Sequence, residues 1–278
     1  MNAVFLPYLA EFTSPGPIIF ELGPIQVRWY GLLIAGAVLT GVLLIERWAP
    51  WRGIAPEVMG ELPIWLVPAA VIGARIYYVV FQWSEYAHQP GAIVAIWRGG
   101  IAIHGAIIGG ILAAIAFAKI RRIAFWSLAD IVAPALALGQ AIGRWGNFFN
   151  SEAFGAPAPP NLPWKLLIPV SQRPDKMADI AYYHPTFLYE SLWNFGVFLV
   201  LMGLFRRDRQ ARFPTGLIAL VYTIAYSSGR IWIESLRTDS LMLGGIRMAQ
   251  LISALGIGLG SLGLWWLYGK RKSLPDVV

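Results

Sequence analysis

Residues 143–152 read GRWGNFFNSE and place an arginine, two asparagines and a glutamate at the end of a long apolar segment. An ionisable side chain at membrane depth raises the free energy of insertion by at least about 2.5–3.5 kcal/mol. A chain that gathers several such groups in one place therefore favours a functional use for them. The alternative is that the Arg144 side chain extends from a helix end to the membrane surface, with amide groups beside it.

The composition is typical of a membrane protein. Of the 278 residues, 57% are hydrophobic and only 13% are charged, whereas about a quarter are charged in soluble domains. The 13 Trp residues suit the two lipid–water interfaces of a bilayer. The net charge of +7 arises from short clusters of Lys and Arg between apolar segments. Such clusters favour orientation signals over a nucleic-acid-binding stripe, so we expect membrane lipids and no nucleic acid as partners.

The chain contains no Cys. This excludes disulfides, Cys-ligated metals and a nucleophilic thiol of its own, so that any thiol chemistry must use a thiol from a substrate. Only three His residues are present, far apart in sequence and without carboxylate motifs. We therefore expect neither a metal site nor a cofactor.

Seven segments reach the length of about 20 apolar residues that spans a bilayer. The segments are 27–46, 62–81, 101–119, 125–142, 185–205, 214–235 and 248–268. They predict an all-α integral membrane protein with seven transmembrane helices, which forms a single polytopic domain over residues 1–278.

Three other segments are too short or too polar to span. Residues 1–24 contain four prolines and no basic signal-peptide region, so we expect an interfacial arm. Residues 145–184 are rich in Pro and polar side chains and are expected to form a small extramembrane head. Residues 91–96 are expected to form a re-entrant or surface piece.

The basic residues predict the orientation of the spans. Lys and Arg are concentrated after spans one, three, five and seven, as in the group Arg206, Arg207, Arg209 and Arg212 after span five. The positive-inside rule then places the N-terminus and the head outside the cell membrane and the C-terminus in the cytoplasm. Nearly all of the costly polar residues fall in the outer half of the membrane in this topology.

The sixth span carries the sharpest local pattern. Tyr226, Arg230 and Glu234 are four residues apart, and Arg237 returns close to the same helical stripe. The alternative is a surface ion pair between Arg230 and Glu234, which would contribute only about 0.3–0.5 kcal/mol in water. In hydrocarbon the pattern favours side chains that face a cavity.

Other residues keep two interpretations. His104 is either catalytic or a helix–helix hydrogen-bond donor. Arg75 either binds lipid or pairs with Glu190 or Glu234 for packing. The spacings Gly105 with Gly109 and Gly256 with Gly260 are interpreted as helix contacts.

A cluster of Arg at outer-leaflet depth suits the phosphate of a phospholipid head group, because Arg binds phosphate bidentately and stays charged. His104, Glu152, Tyr226 and Glu234 are possible proton-transfer groups beside it. Together they suggest chemistry on the lipid. A phospholipid or anion transporter with an Arg-lined outer cavity is the alternative; the absence of an evident repeat and the one-sided cluster favour an enzyme.

The same residues carry a resemblance to a known family. The stretch 143–152 resembles the Gly-Arg-x-Gly-Asn-Phe-x-Asn-x-Glu motif of the bacterial prolipoprotein diacylglyceryl transferases. Further matching stretches follow in family order: 27–31, 73–78, 97–100 with His104 and Gly105, 184–190, and 229–234 with Arg237. The resemblance covers nearly the whole chain. The departures are Ala106, where the family usually has Gly, and Thr186-Phe187, where Ser or Thr followed by Gln is common.

The resemblance implies a multi-pass enzyme of the bacterial inner membrane with its active site toward the periplasmic leaflet. Such an enzyme transfers the diacylglyceryl group of phosphatidylglycerol to the lipobox Cys thiol of a prolipoprotein signal peptide. The products are a thioether and glycerol 1-phosphate, in the first step of lipoprotein maturation.

The resemblance and the chemistry of the residues together suggest roles. Arg144 and Arg230 would bind the phosphate and stabilise it as it leaves. The catalytic base for the thiol would be His104, or alternatively Glu152 or Glu234 if desolvation raises the pKa of that carboxyl. The expected substrate-binding residues are Tyr30, Arg75, Asn147, Asn150, His184, Tyr189, Glu190, Tyr226 and Arg237.

Overall fold

The computed structural model describes residues 10–23, 25–209 and 213–272 and is predominantly helical. Residues 1–9 and 24, which belong to the predicted arm, lie outside the described residues. The helices are α1 (Trp29–Trp48), α2 (Pro56–Gly60), α3 (Leu62–Phe81), α4 (Trp83–Tyr86), α5 (Ile103–Ile120), α6 (Phe125–Asn150), α7 (Thr186–Arg207), α8 (Leu217–Leu236) and α9 (Met248–Lys272). The strands are β1 (Ala10–Thr13), β2 (Ile18–Leu22), β3 (Ile25–Arg28), β4 (Trp164–Leu167), β5 (Tyr182–Tyr183), β6 (Met242–Leu243) and β7 (Ile246–Arg247).

Within the described residues, six helical segments are long and apolar enough to cross a membrane. They are Trp29–Arg52, Pro56–Phe81, Ile103–Ile120, Phe125–Asn150, Thr186–Arg207 and Met248–Gly269. In the last of these segments only 11% of the apolar window is buried, so most of its side chains require lipid around them. The prediction of an all-α membrane protein is confirmed at this level.

The remaining candidate span coincides with α8. This helix has 20 residues, which at 1.5 Å per residue is about the thickness of the hydrocarbon core. It is absent from the six because polar side chains, Arg230 and Glu234 among them, lower its hydropathy. A seventh span and the orientation in the membrane stay predictions.

The chain divides into two compact units, residues 42–131 and residues 1–41 with 132–278. In the first, α3 and α5 pack closely because glycines face each other. A Cβ atom added to Gly73 would overlap the carbonyl oxygen of Gly105, and one added to Gly109 would overlap that of Ala69. The expected helix contact at Gly105 and Gly109 is therefore confirmed. The short segment predicted near residues 91–96 forms two 3₁₀ turns.

The other unit contains the head. Strand β1 pairs in parallel with β4, and β4 pairs antiparallel with β5, so residues 10–13 of the N-terminal arm belong to the head's sheet. Strand β2 of the arm pairs with β3 in a separate two-stranded sheet. A cluster of buried side chains lies beneath the head's sheet: Phe148, Phe154, Leu166, Ile168, Tyr183 and Phe187. Because Phe148 is in α6 and Phe187 is in α7, this core fixes the head to the ends of those two helices. In the same unit Gly256 and Gly260 of α9 lie against Ser227 and Ile224 of α8, as expected for a helix contact.

Candidate active site

Three helix ends meet at one buried carboxylate. Glu190, in the second turn of α7, is only 3% exposed. Its Oε2 atom lies 2.6 Å from Nη2 of Arg144, near the end of α6. Its Oε1 atom accepts a hydrogen bond of 3.0 Å from Nη1 of Arg230 in α8. The carboxylate therefore bridges the two arginines, one oxygen to each.

The end of α8 extends this arrangement. Nη2 of Arg230 lies 2.5 Å from Oε2 of Glu234. Arg237, which follows the helix, lies 3.6 Å from Oε1 of Glu190 and 4.0 Å from Oε2 of Glu234. It also donates two hydrogen bonds, of 3.0 and 2.7 Å, to the two carboxylate oxygens of Asp239. These six residues, Arg144, Glu190, Arg230, Glu234, Arg237 and Asp239, are called the ionic cluster below.

The charges of the ionic cluster compensate one another, because it contains three guanidinium groups and three carboxylates. Burial opposes the charge of Arg237, but its hydrogen bonds to Asp239 and the nearby carboxylates of Asp239, Glu190 and Glu234 raise its pKa above the ordinary value. Arg237 therefore stays charged although it is largely withdrawn from water.

A chain of amides joins the cluster to Glu152. Nη1 of Arg144 donates to Oδ1 of Asn147 at 3.3 Å. Oε1 of Glu152 accepts hydrogen bonds from Nδ2 of Asn147 at 2.8 Å and from Nδ2 of Asn150 at 3.3 Å. The chain reverses just past α6, with a positive φ of 50° at Ser151, and this turn brings the Glu152 carboxylate back to the helix end.

One glycine of the motif is required by close packing. A Cβ atom on Gly146 would lie 2.5 Å from a ring carbon of Tyr30, whereas one on Gly143 would make only an ordinary contact of 3.6 Å with Ile34. Gly146 thus lets the ring of Tyr30 in α1 approach the backbone of α6. The side chain of Tyr30 is 38% exposed, which agrees with its expected place at the edge of the site.

The predicted residues His184 and Tyr189 bond to each other and to the head. Nδ1 of His184 lies 3.2 Å from the hydroxyl oxygen of Tyr189, which also accepts a hydrogen bond of 3.0 Å from Nε1 of Trp164. Burial lowers the pKa of His184 below its usual value. These contacts support a role in attaching the head to α7. Tyr226 precedes Arg230 by one helical turn, and its ring stacks on that of Tyr222 with the centroids 5.8 Å apart.

Arg75 belongs to the unit formed by residues 42–131 and has different partners. It is 6% exposed. Its guanidinium donates four hydrogen bonds of 2.6–2.8 Å to the carbonyl oxygens of Ala92, Ile93, Gly99 and Gly100. Because four of its five N–H groups are used in this way, these contacts support a role in holding the loop 92–100.

His104 is in the same unit as Arg75. It is the second residue of α5, close to the predicted position, and its ring lies 5.8 Å from the ring of Tyr77. Among the described residues of its unit it makes no hydrogen bond through its side chain. The described part of the chain holds no group of three His, Asp or Glu side chains placed to bind a metal ion.

Sequence reasoning missed three features of the site. Glu190 was expected only among the substrate-binding residues, yet it contacts all three arginines of the ionic cluster. Asp239 was not expected at all, although its position two residues after Arg237 could have suggested the pair. Arg247 was also missed; it donates to the carbonyl oxygen of Glu234 at 2.5 Å.

Two comparisons with known proteins found similar sequences. The model of the prolipoprotein diacylglyceryl transferase family matches residues 17–266. A phosphatidylglycerol–prolipoprotein diacylglyceryl transferase from Trichormus variabilis is 60% identical over 275 residues, which cover 98% of this chain and 97% of the relative. A relative of the same name from Nostoc sp. is 60% identical, over 98% of this chain and 96% of its own. Another from Synechococcus elongatus is 57% identical, over 96% of this chain and 93% of its own.

Proposed function

The chain belongs to the prolipoprotein diacylglyceryl transferase family, and from this premise we propose how its residues carry out the reaction. The protein is a transferase that moves the diacylglyceryl group of phosphatidylglycerol to a prolipoprotein. The acceptor is the thiol of the lipobox Cys. Its sulfur attacks the carbon of the diacylglyceryl group that is bonded to a phosphate oxygen, the C–S bond forms as that C–O bond breaks, and glycerol 1-phosphate leaves.

The observation that supports this assignment is the bridge that Glu190 makes between Arg144 and Arg230. Each guanidinium has five N–H groups, and Arg144 and Arg230 each use two of their nitrogens in described contacts. The remaining N–H groups can bind a phosphate. As the C–O bond breaks, negative charge grows on that phosphate, and donors already fixed by Glu190 stabilise it without reorganising.

The amides and the tyrosines complete the lipid site in this proposal. Asn147 and Asn150 orient the head group, with Glu152 fixing both amides. Tyr226 lies one turn below Arg230 and Tyr30 lies against Gly146, where they border the lipid. Arg75, by contrast, acts by holding its loop.

The proton of the thiol needs an acceptor, because a free thiol has a pKa of about 8.5. Glu234 is engaged by Arg230 and Arg237, and Glu152 by two amides. His104 makes no such contact within the described residues of its unit. This contrast supports His104 as the base, and the two carboxylates stay as the alternatives.

We further propose that α8 also spans the membrane, as the sixth of seven spans, with its polar stripe turned to the site and away from lipid. The concentration of Lys and Arg after the odd-numbered spans then supports a periplasmic N-terminus and head, a cytoplasmic C-terminus and an active site in the periplasmic leaflet of the inner membrane. A reporter fused after Val278 that was active only outside the cytoplasm would contradict this orientation.

The reaction is tested by incubating the purified protein with phosphatidylglycerol and a lipobox peptide and measuring the mass of the peptide. We expect a diacylglyceryl increment on Cys and an equal amount of glycerol 1-phosphate. The matched control is the same peptide with Ser in place of Cys, which should stay unmodified. An unchanged peptide mass together with movement of lipid across vesicles would favour a transporter instead.

The base is tested separately with His104→Gln. We expect kcat to fall while the KM for phosphatidylglycerol stays the same, because the imidazole acts on the thiol and not on the lipid. Full transfer by this variant would assign the base to Glu152 or Glu234.

A further inference from the structure

A cavity of about 500 Å³ lies in the head, in the same unit as the ionic cluster. Three separate segments line it. The lining residues are Ala153, Phe154, Pro174, Asp175, Lys176, Met177, Thr238 and Asp239. The volume lies within the range of about 300–1,000 Å³ that is usual for ligand pockets.

The cavity adjoins the ionic cluster through a shared residue. One of its walls begins at Ala153, directly after Glu152, and another begins at Thr238, directly after Arg237. It shares Asp239 with the ionic cluster, since this carboxylate both lines the cavity and accepts two hydrogen bonds from Arg237. A molecule in the cavity would therefore contact Asp239, which is a member of the ionic cluster.

Hydrogen bonds fix the walls of the cavity. The carbonyl oxygen of Ala153 accepts a bond of 2.6 Å from the hydroxyl of Thr186, and that of Met177 accepts a bond of 3.1 Å from the hydroxyl of Tyr183. Thr186 and Tyr183 are fully buried. The cavity is thus formed by the folded head and does not depend on a ligand to create it.

The chemistry of the lining discriminates between the two reactants. Phe154, Pro174 and Met177 give it an apolar wall, and the side chains of Asp175 and Lys176 add charge. The glycerol head of the lipid carries only hydroxyl groups and gains little from an apolar wall. The acyl chains belong in the hydrocarbon. A polypeptide segment with an apolar side chain and a polar backbone suits both parts of the lining.

We propose that this cavity is a subsite for the prolipoprotein segment that immediately follows the acceptor Cys, and that it takes an apolar side chain of that segment. The proposal rests on the proposed transferase function. It follows from the shared residue Asp239, because a peptide whose Cys thiol is at the ionic cluster can lead its next residues past Asp239 into the cavity. The cavity then contributes to the choice of acceptor and has no part in binding phosphatidylglycerol.

The test compares two acceptor peptides. Both are incubated with the full-length protein in mixed micelles of detergent and phosphatidylglycerol. One peptide ends with the Cys as an amide, and the other continues for several residues that include an apolar side chain. The wild-type protein should give a KM about tenfold or more lower for the longer peptide, as expected from one apolar side-chain contact. Equal KM values for the two peptides would overturn the proposal, whereas no transfer to either would contradict the proposed function itself.

Two variants refine the test. Thr238→Trp fills the cavity and Met177→Asp places a charge in its apolar wall. Both should raise the KM for the longer peptide about tenfold and leave unchanged the KM for the shorter peptide and for phosphatidylglycerol. The matched control is Val170→Asp, because Val170 is in the head, is 70% exposed and does not line the cavity. Equal effects of the two cavity variants on both peptides would overturn the proposal.

Discussion

Two groups of buried arginine in this protein have different partners. The guanidinium of Arg75 is surrounded by four backbone carbonyl oxygens of one loop. Those of Arg144 and Arg230 are held mainly by the carboxylates of Glu190 and Glu234. Carbonyls that belong to a loop cannot leave without unfolding that loop, so Arg75 is fixed. Side-chain carboxylates set the positions of the arginines and leave N–H groups for an anion.

The difference shows that a buried arginine in a membrane protein is not by itself a binding site. Both groups look alike in sequence, because each arginine lies within or at the end of an apolar segment. Only the chemistry of the partners separates a structural arginine from one that is available to a phosphate. The following experiments test that distinction.

The largest effect is expected for Glu190→Gln. It leaves three guanidinium groups without their shared carboxylate, and removing one partner of a buried ionic group lowers the free energy of unfolding by about 3–5 kcal/mol. We expect a lower melting temperature, partly restored by phosphatidylglycerol because its phosphate replaces the missing charge. A variant as stable as the wild type in lipid-free detergent would show that Glu190 does not organise the cluster.

Arg144→Lys should act on catalysis more than on stability. Lys supplies a single charged group in place of the planar fork, and loss of one such donor to a developing oxyanion lowers the rate about 10²–10³-fold. The measurement is kcat/KM for transfer to a lipobox peptide, with the melting temperature as control. Activity close to that of the wild type would argue against phosphate binding by the fork.

Arg75→Lys should show the opposite pattern. The three N–H donors of a Lys ammonium group cannot replace four guanidinium hydrogen bonds. Each charged hydrogen bond that is lost lowers the free energy of unfolding by about 1.5–3 kcal/mol at most. We expect faster hydrogen exchange in residues 92–100 and a lower melting temperature, with an unchanged KM for phosphatidylglycerol. A KM that rises as much as in Arg144→Lys would make Arg75 a lipid-binding residue after all.

A pair of glycine variants tests the packing around Arg144. Gly146→Ala should lower the free energy of unfolding by about 1–3 kcal/mol, because the added methyl group overlaps the ring of Tyr30. Gly143→Ala is the matched control in the same helix and should be neutral or slightly stabilising. Thermal unfolding of the two variants gives the comparison, and equal losses would show that Tyr30 is not the reason for the difference.

The smallest effect concerns pH. Burial lowers the pKa of His184. Since the unfolded chain binds a proton near about pH 6.5 and the folded head binds it only at lower pH, stability is constant above that value and falls as the pH decreases below it. His184→Asn should flatten the dependence of the melting temperature on pH between pH 7.5 and 5.5. An identical slope in both proteins would exclude His184 as the source of that dependence.

The sequence by itself determined the helical membrane class, six of the spans and most of the residues that meet in the ionic cluster. These follow from local rules: the length and hydropathy of a segment, and the helical spacing that puts Arg144 beside Asn147 and Arg230 beside Glu234. The motif at the end of α6 likewise contains its own hydrogen-bonding partners, since Asn147, Asn150 and Glu152 lie within six residues.

Only the tertiary structure decided which charges meet. Glu190 and Arg230 are 40 residues apart and on different helices, and the pairing of β1 with β4 joins Ala10 to Trp164. No local pattern encodes such contacts, because they depend on how helix ends and loops pack in space. For the same reason the sequence could list Arg75 with the other arginines, whereas the fold gave it carbonyl partners and gave Glu190 the central position.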